Sequence, residues 1–175
     1  HEGGIRVPMI IRWPGVTEPG SKSKDLVSSV DFYPTMMEMA GIKETRQKNL
    51  DGISLVPLLR KGKTLEDRSL FNAAPAGFFF EFPPAACVHR GNWKLIRWYE
   101  TNQRCPEEYE LYNLDSDIGE TKNLASEHPD LVSELAAEID RVIEHTGARM
   151  PIPNPGYDPK AGPVRGWHAG PKTDL

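Results

Sequence analysis

Residues 85–99, AACVHRGNWKLIRWY, decide how this chain of 175 residues folds. Two runs, 85–90 and 93–99, carry alternating apolar, β-branched and aromatic residues and are parted by Gly91-Asn92. That pair is a turn signal, so the stretch predicts a hairpin. SLFN at 69–72 and YELYNL at 109–114 add a short strand on each side. Four consecutive short strands predict an antiparallel meander. A sheet of this kind leaves an apolar face to cover, and SEHPDLVSELAAEIDRVIEHTG at 126–147 supplies the cover. Leu131, Leu135, Ile139 and Val142 form one helical stripe, flanked by Val132, Ala136 and Ile143. Pro129 suits the first turn and Gly147 the stop.

Towards the start, HEGGIRVPMIIRWPG at 1–15 is nearly all apolar from Val7 to Ile11. It predicts a strand over 5–13 covered on both faces, with Pro8 near its start or at an edge and Pro14-Gly15 as its end. SSVDFYPTMMEMAG at 28–41 predicts a helix capped by Asp31 or a preceding serine, with Pro34 in the first turn and Gly41 as the stop. Tyr33, Met37 and Ala40 share one face, and the cluster Met36-Met37-Met39 reads as core. In LDGISLVPLLRKGK at 50–63, Asp51-Gly52 signals a turn, and Leu55, Leu58 and Leu59 fit one helical turn. The chain therefore divides into three. Residues 1–65 offer too little to close a core and read as the end of a larger α/β domain. Residues 66–147 form a small α+β domain, a four-stranded antiparallel sheet with a packed C-terminal helix. Residues 148–175 are an irregular tail rich in proline and glycine.

Charge and hydropathy exclude some classes. Lys and Arg number 21 against 25 Asp and Glu, a net charge of −4. No basic cluster marks a nucleic-acid surface, and no apolar run approaches the ~18 residues of a membrane span. Cys87 and Cys105 flank the hairpin. A bridge between them is feasible, and two unpaired thiols are the plainer alternative.

Six segments resemble, in order, the C-terminal part of type I sulfatases: HEGGIRVPMIIRWPG, SSVDFYPTMMEMAG, LDGISLVPLL, HRGNWKLI, ELYNLDSDIGETKNLA and PIPNPGYDP. Ile118 stands where that family often has proline, a difference confined to a turn. The resemblance implies a large α/β domain of alkaline-phosphatase-like topology followed by a small sheet-and-helix domain. It implies hydrolysis of sulfate esters, or in some members sulfamates, on carbohydrate. The nucleophile would be a formylglycine made in a C/S-x-P-x-R motif, and a calcium-type cation held by Asp and Asn oxygens would polarise the sulfate. No cysteine or serine here begins that motif. The resemblance puts nucleophile, metal ligands and active-site lysine before His1, so this chain is expected to hold no catalytic residue, no metal and no cofactor, and to be inactive alone. Its expected partners are the upstream part of the sulfatase domain and, in the whole enzyme, a sulfated small molecule or glycan. A periplasmic or extracellular location is favoured by the same resemblance.

Within that frame the candidate residues are few. His1 follows closely on the expected lysine and is a candidate substrate contact. Glu2, Gly3, Gly4 and Arg6 read as structural residues beside the active site, Glu2 pairing with Arg6 to hold a turn. His89 and Arg90, at the hairpin tip, are candidate contacts for an anionic sugar or else an exposed turn. DSDIGE at 115–120 mimics a calcium loop but has the wrong spacing and reads as a turn. Phe78, Phe79, Phe80 and Phe82 read as a plug or a cleft lining. Two other readings stay open. One is a phosphodiesterase or phosphonate hydrolase of the same superfamily, and the other is a non-catalytic module binding a glycan or a partner.

Overall fold

The structure is a computed structural model and describes residues 1–42, 50–60, 64–65, 67–74, 83–101 and 105–151. The phenylalanine-rich stretch at 78–82 and most of the tail lie outside the described residues. Four strands, β1 (Ser69–Ala74), β2 (Ala85–Arg90), β3 (Trp93–Trp98) and β4 (Tyr109–Asn113), lie in the order β1-β2-β3-β4. This is the antiparallel meander expected. Gly91 takes a left-handed φ of 56°, while Asn92 does not. A glycine with positive φ at the first turn position matches the right-handed twist of a two-residue hairpin. Leu114 N–H donates to Asn92 O at 2.8 Å and carries the β3–β4 pairing past the strand end.

Three short helices, α1 (Glu2–Ile5), α2 (Phe32–Met39) and α3 (Val56–Leu59), precede the sheet, and α4 (Pro129–Thr146) follows it. The chain forms two compact units. Of the described residues, the first holds those within 1–70, 89–94 and 112–123, and the second holds those within 71–88, 95–111 and 124–151. Each strand is thus divided between them.

The second unit is built on apolar burial. Ala86, Val88, Leu95, Ile96, Trp98, Leu111, Leu135 and Ile139 are all buried. Leu135 and Ile139 are the middle of the predicted stripe, and α4 ends as expected where Gly147 turns left-handed. Arg97 on β3 reaches α4 through Asp140, at 2.8 Å, and its guanidinium lies over the rings of Tyr99 and Tyr109. Cys87 and Cys105 are not joined by a disulfide.

The first unit is built differently. Its buried side chains include Glu2, Asp31, Thr35 and Lys94 as well as Leu55 and Val56. Two expectations are corrected here. Residues 6–13 form no strand; α1 takes up Ile5, and Val7 and Ile10 are 75% and 93% exposed. A strand exists only by pairing, and among the described residues no neighbour offers it a ladder. The helix at 28–41 forms as α2, preceded by a 3-10 turn over Ser29–Asp31, but its inner face is Asp31 and Thr35. Met36 is 60% exposed, and Phe32, Tyr33 and Met39 are also exposed. The methionine cluster does not pack into a core of the described chain.

Asp31 explains the reversal. Its carboxylate accepts N–H bonds from Ser28 at 2.7 Å and Ile53 at 3.0 Å, and the Arg68 guanidinium grips it with both amino groups. Arg68 also donates to Leu26 O. Thr35 Oγ1 donates to Asp31 O at 2.6 Å and accepts from Leu55 N–H at 2.8 Å. Gly52 lets the 50–56 segment come this close: a Cβ there would sit 2.1 Å from Val30 O. Gly52→Ala is expected to cost about 1–3 kcal/mol, the usual cost of overpacking. Urea unfolding followed by tryptophan fluorescence should show the midpoint fall. An unshifted midpoint would mean that the two segments do not meet this tightly.

Candidate functional site

The first unit contains a closed cluster of charge around Lys94. Successive strand residues point to opposite faces, so Lys94 projects from the face of β3 opposite to Arg97. Its side chain is fully buried, with Nζ 2.9 Å from Glu2 Oε1 and 2.8 Å from Glu120 Oε1. Glu120 does more than neutralise the lysine. Its Oε2 accepts the Glu2 N–H at 2.6 Å and lies 3.2 Å from His1 Nδ1. Arg6 stands 3.7 Å from Glu2 Oε2. The His1 ring also lies against that of Tyr112, with centroids 6.1 Å apart.

Local structure explains each placement. Two glycines follow Glu2, and α1 is a single turn closed by Arg6 N–H to Glu2 O at 2.8 Å. Glu120 is delivered by the turn that follows β4. There the Asp117 carboxylate accepts the N–H groups of Thr121 and Lys122 and the Thr121 hydroxyl. Those bonds, led by that from Lys122, hold the Asp117 carboxyl below its usual range. Among the described residues other than glycine, Glu120 alone has positive φ, 53°. This left-handed backbone is uncommon for such a residue and is worth explaining.

His89 belongs to the same cluster. A two-residue turn sets it opposite Lys94. Burial pushes its imidazole below the usual histidine range. Glu2 opposes that push, and Lys94 and Arg6 add to it. The downward shift favours the neutral imidazole.

Arg90, its neighbour, must project from the other face of the hairpin. It lines an open cleft of about 470 Å³ within the first unit, together with Asp67, Arg68, Asn92 and Trp93. The structure thus gathers His1, Glu2, Arg6 and His89 round Lys94 and sets Arg90 apart from them. Gly3 and Gly4 are exposed, and nothing lies within 4 Å of a Cβ built on either. DSDIGE is a turn.

Sequence reasoning missed Lys94 and Glu120. The signal for Lys94 was present: a lysine between Trp93 and Leu95 in an otherwise inward-facing strand needs a buried carboxylate. For Glu120 there was none, because a turn glutamate is ordinarily a solvated one.

The cluster is not a cation site. Glu2 and Glu120 are both committed to Lys94, and Asp31 to Arg68. Among the described residues no group of three or more His, Cys, Asp or Glu side chains could hold a metal ion. Among the described residues no helix is long and apolar enough to cross a membrane.

Comparison with known proteins covers most of the chain. Residues 1–145 match the family described as N-sulphoglucosamine sulphohydrolase, C-terminal. A sulfatase of Formosa agariphila is 37% identical over 139 residues, 74% of this chain and 24% of that protein. Human arylsulfatase K is 28% identical over 83% of this chain and 27% of its own length. Among solved structures, BT4656 in complex with its substrate D-glucosamine-2-N,6-O-disulfate superposes with a TM-score of 0.62 at 24% identity, over 79% of this chain and 28% of that one. The chain spans about a quarter of the length of these relatives.

Proposed function

The chain belongs to the N-sulphoglucosamine sulphohydrolase C-terminal family, and from that premise we propose that it serves as the C-terminal part of a sulfatase acting on sulfated carbohydrate. The whole enzyme would use a formylglycine nucleophile and a calcium-type cation, both carried by the preceding part of its domain. It would work in the periplasm or outside the cell. The family match over 1–145 carries this reading. The exposed apolar side chains of Val7, Ile10, Phe32 and Met36 agree with it, since a preceding part of the protein would have apolar side chains here to pack against.

Calcium, where bound in the complete enzyme, would polarise the sulfate and stabilise its charge. This chain's own residues have other tasks. Lys94, Glu2 and Glu120 fix the segment that starts at His1. In this reading His1, half-exposed, and Arg90, which lines the open cleft with Trp93, would meet an anionic sugar. His89, turned to the charge cluster, would meet substrate only where that cluster does.

The isolated chain is expected to show no turnover of an aryl sulfate with calcium added. The chain preceded by the rest of a sulfatase domain should hydrolyse it and lose activity to a chelator. Hydrolysis by the isolated chain, or cleavage of a phosphate diester in preference to the sulfate by the complete protein, would overturn the proposal.

A further inference from the structure

We propose that Lys94 and Glu120 are positioning residues that latch the His1–Arg6 segment, so that the β2–β3 hairpin and the turn at 115–121 place that segment for the reaction. The proposal rests on the reading above, in which the chemistry of the complete enzyme lies next to His1.

Four observations carry it. The segment's own structure is slight, since α1 is one turn of four residues with two exposed glycines, closed by Arg6 N–H to Glu2 O. A turn so short is unstable alone. Second, the bonds from Glu120 fix the main chain at the Glu2 N–H and the side chain at His1. Packing alone would not orient both. Third, Lys94 holds the carboxylate of Glu2 as well as that of Glu120, and so ties a side chain of the segment to β3 and to the turn after β4 at once, while Arg6 stands at the other oxygen of Glu2. Fourth, Glu120 keeps a left-handed backbone to aim its carboxylate. Strain of this kind persists where the surroundings enforce it, and it gathers at functional sites. If stability were the only demand, apolar residues of similar volume would serve as well as the ions.

Hydrogen exchange on the 175-residue chain tests the latch, with Lys94→Met and Glu120→Gln as variants. Lys94→Met should speed exchange at the amides of Glu2 to Arg6 on the order of a hundredfold, as losing one partner of a buried pair implies. Glu120→Gln keeps acceptor oxygen for the Glu2 N–H and should give a smaller rise at the same amides. Exchange in α4 and at the Leu55 amide should stay as it was. In the complete enzyme, Lys94→Met should lower kcat on the order of a hundredfold, the cost of misplaced groups, with KM moving much less.

Unchanged exchange at 2–6 in both variants overturns the proposal. So does an equal rise throughout the chain in both, which would mark a purely structural ion pair. Loosened exchange with unaltered kcat and KM overturns the positioning role. If the unaltered complete enzyme cleaves no sulfate ester, the functional reading fails, and the exchange result alone then decides the latch.

Discussion

Asp31→Ala is expected to destabilise the first unit severely. The substitution strands the Arg68 guanidinium, whose side chain is only 15% exposed, and removes the acceptor of the Ser28 and Ile53 amides. Breaking one side of a buried pair costs about 3–5 kcal/mol, a large share of the ~5–15 kcal/mol that holds a domain together. The same carboxylate makes stability depend on pH. Burial alone would raise its pKa. The bonds from Arg68 and from the Ser28 and Ile53 amides outweigh burial, so the pKa lies below the usual range. A folded pKa below the unfolded one gives stability that is fully present above the unfolded value of about 3.9 and is lost as pH falls through the folded value. Urea unfolding between pH 7 and acid should show that loss in the native chain and a smaller one in Asp31→Ala. A variant with native stability at pH 7 would mean that the network contributes nothing.

Leu135→Asp is the second large effect, and it strikes the other unit. Leu135 is fully buried on α4, and among the described residues of that unit no cation is buried. An aspartate there must be buried unpaired or drive the helix off the sheet, at a cost of several kcal/mol. Leu135→Ala, which only opens a cavity, should cost about 2–5 kcal/mol. Circular dichroism on heating should show α4 lost early in the aspartate variant. Melting that matches the native chain would show that α4 is not docked through Leu135.

The sheet and α4 were legible because their signals are local and agree with one another. Gly91-Asn92 fits only a hairpin, and the stripe through Leu135 and Ile139 fits only a helix with one buried side. The segment at 5–13 was not legible, because its composition is that of a strand while a strand requires a neighbour. The face of α2 was read from hydrophobicity, and hydrophobicity cannot reveal that Asp31 and Thr35 would be claimed by Arg68 and Leu55, 37 and 20 residues away. The charge cluster was legible by half. Glu2 and Arg6 were read as a structural pair, and they do stand together. Lys94 and Glu120, 26 positions apart in the sequence, meet Glu2 only once β3 and the turn after β4 have formed.

The contrast between a carboxylate-centred interior and a hydrocarbon one reaches into how the chain responds to cold. Exposing apolar surface on unfolding raises heat capacity, and exposing polar surface lowers it. The part around Leu95, Leu111, Leu135 and Ile139 therefore has the strongly curved stability profile of an oily core and weakens on chilling. The part around Asp31 and Lys94 has a flatter profile, because its polar groups offset its leucines. On cooling, the hydrocarbon part is therefore expected to give up more of its stability than the charged one.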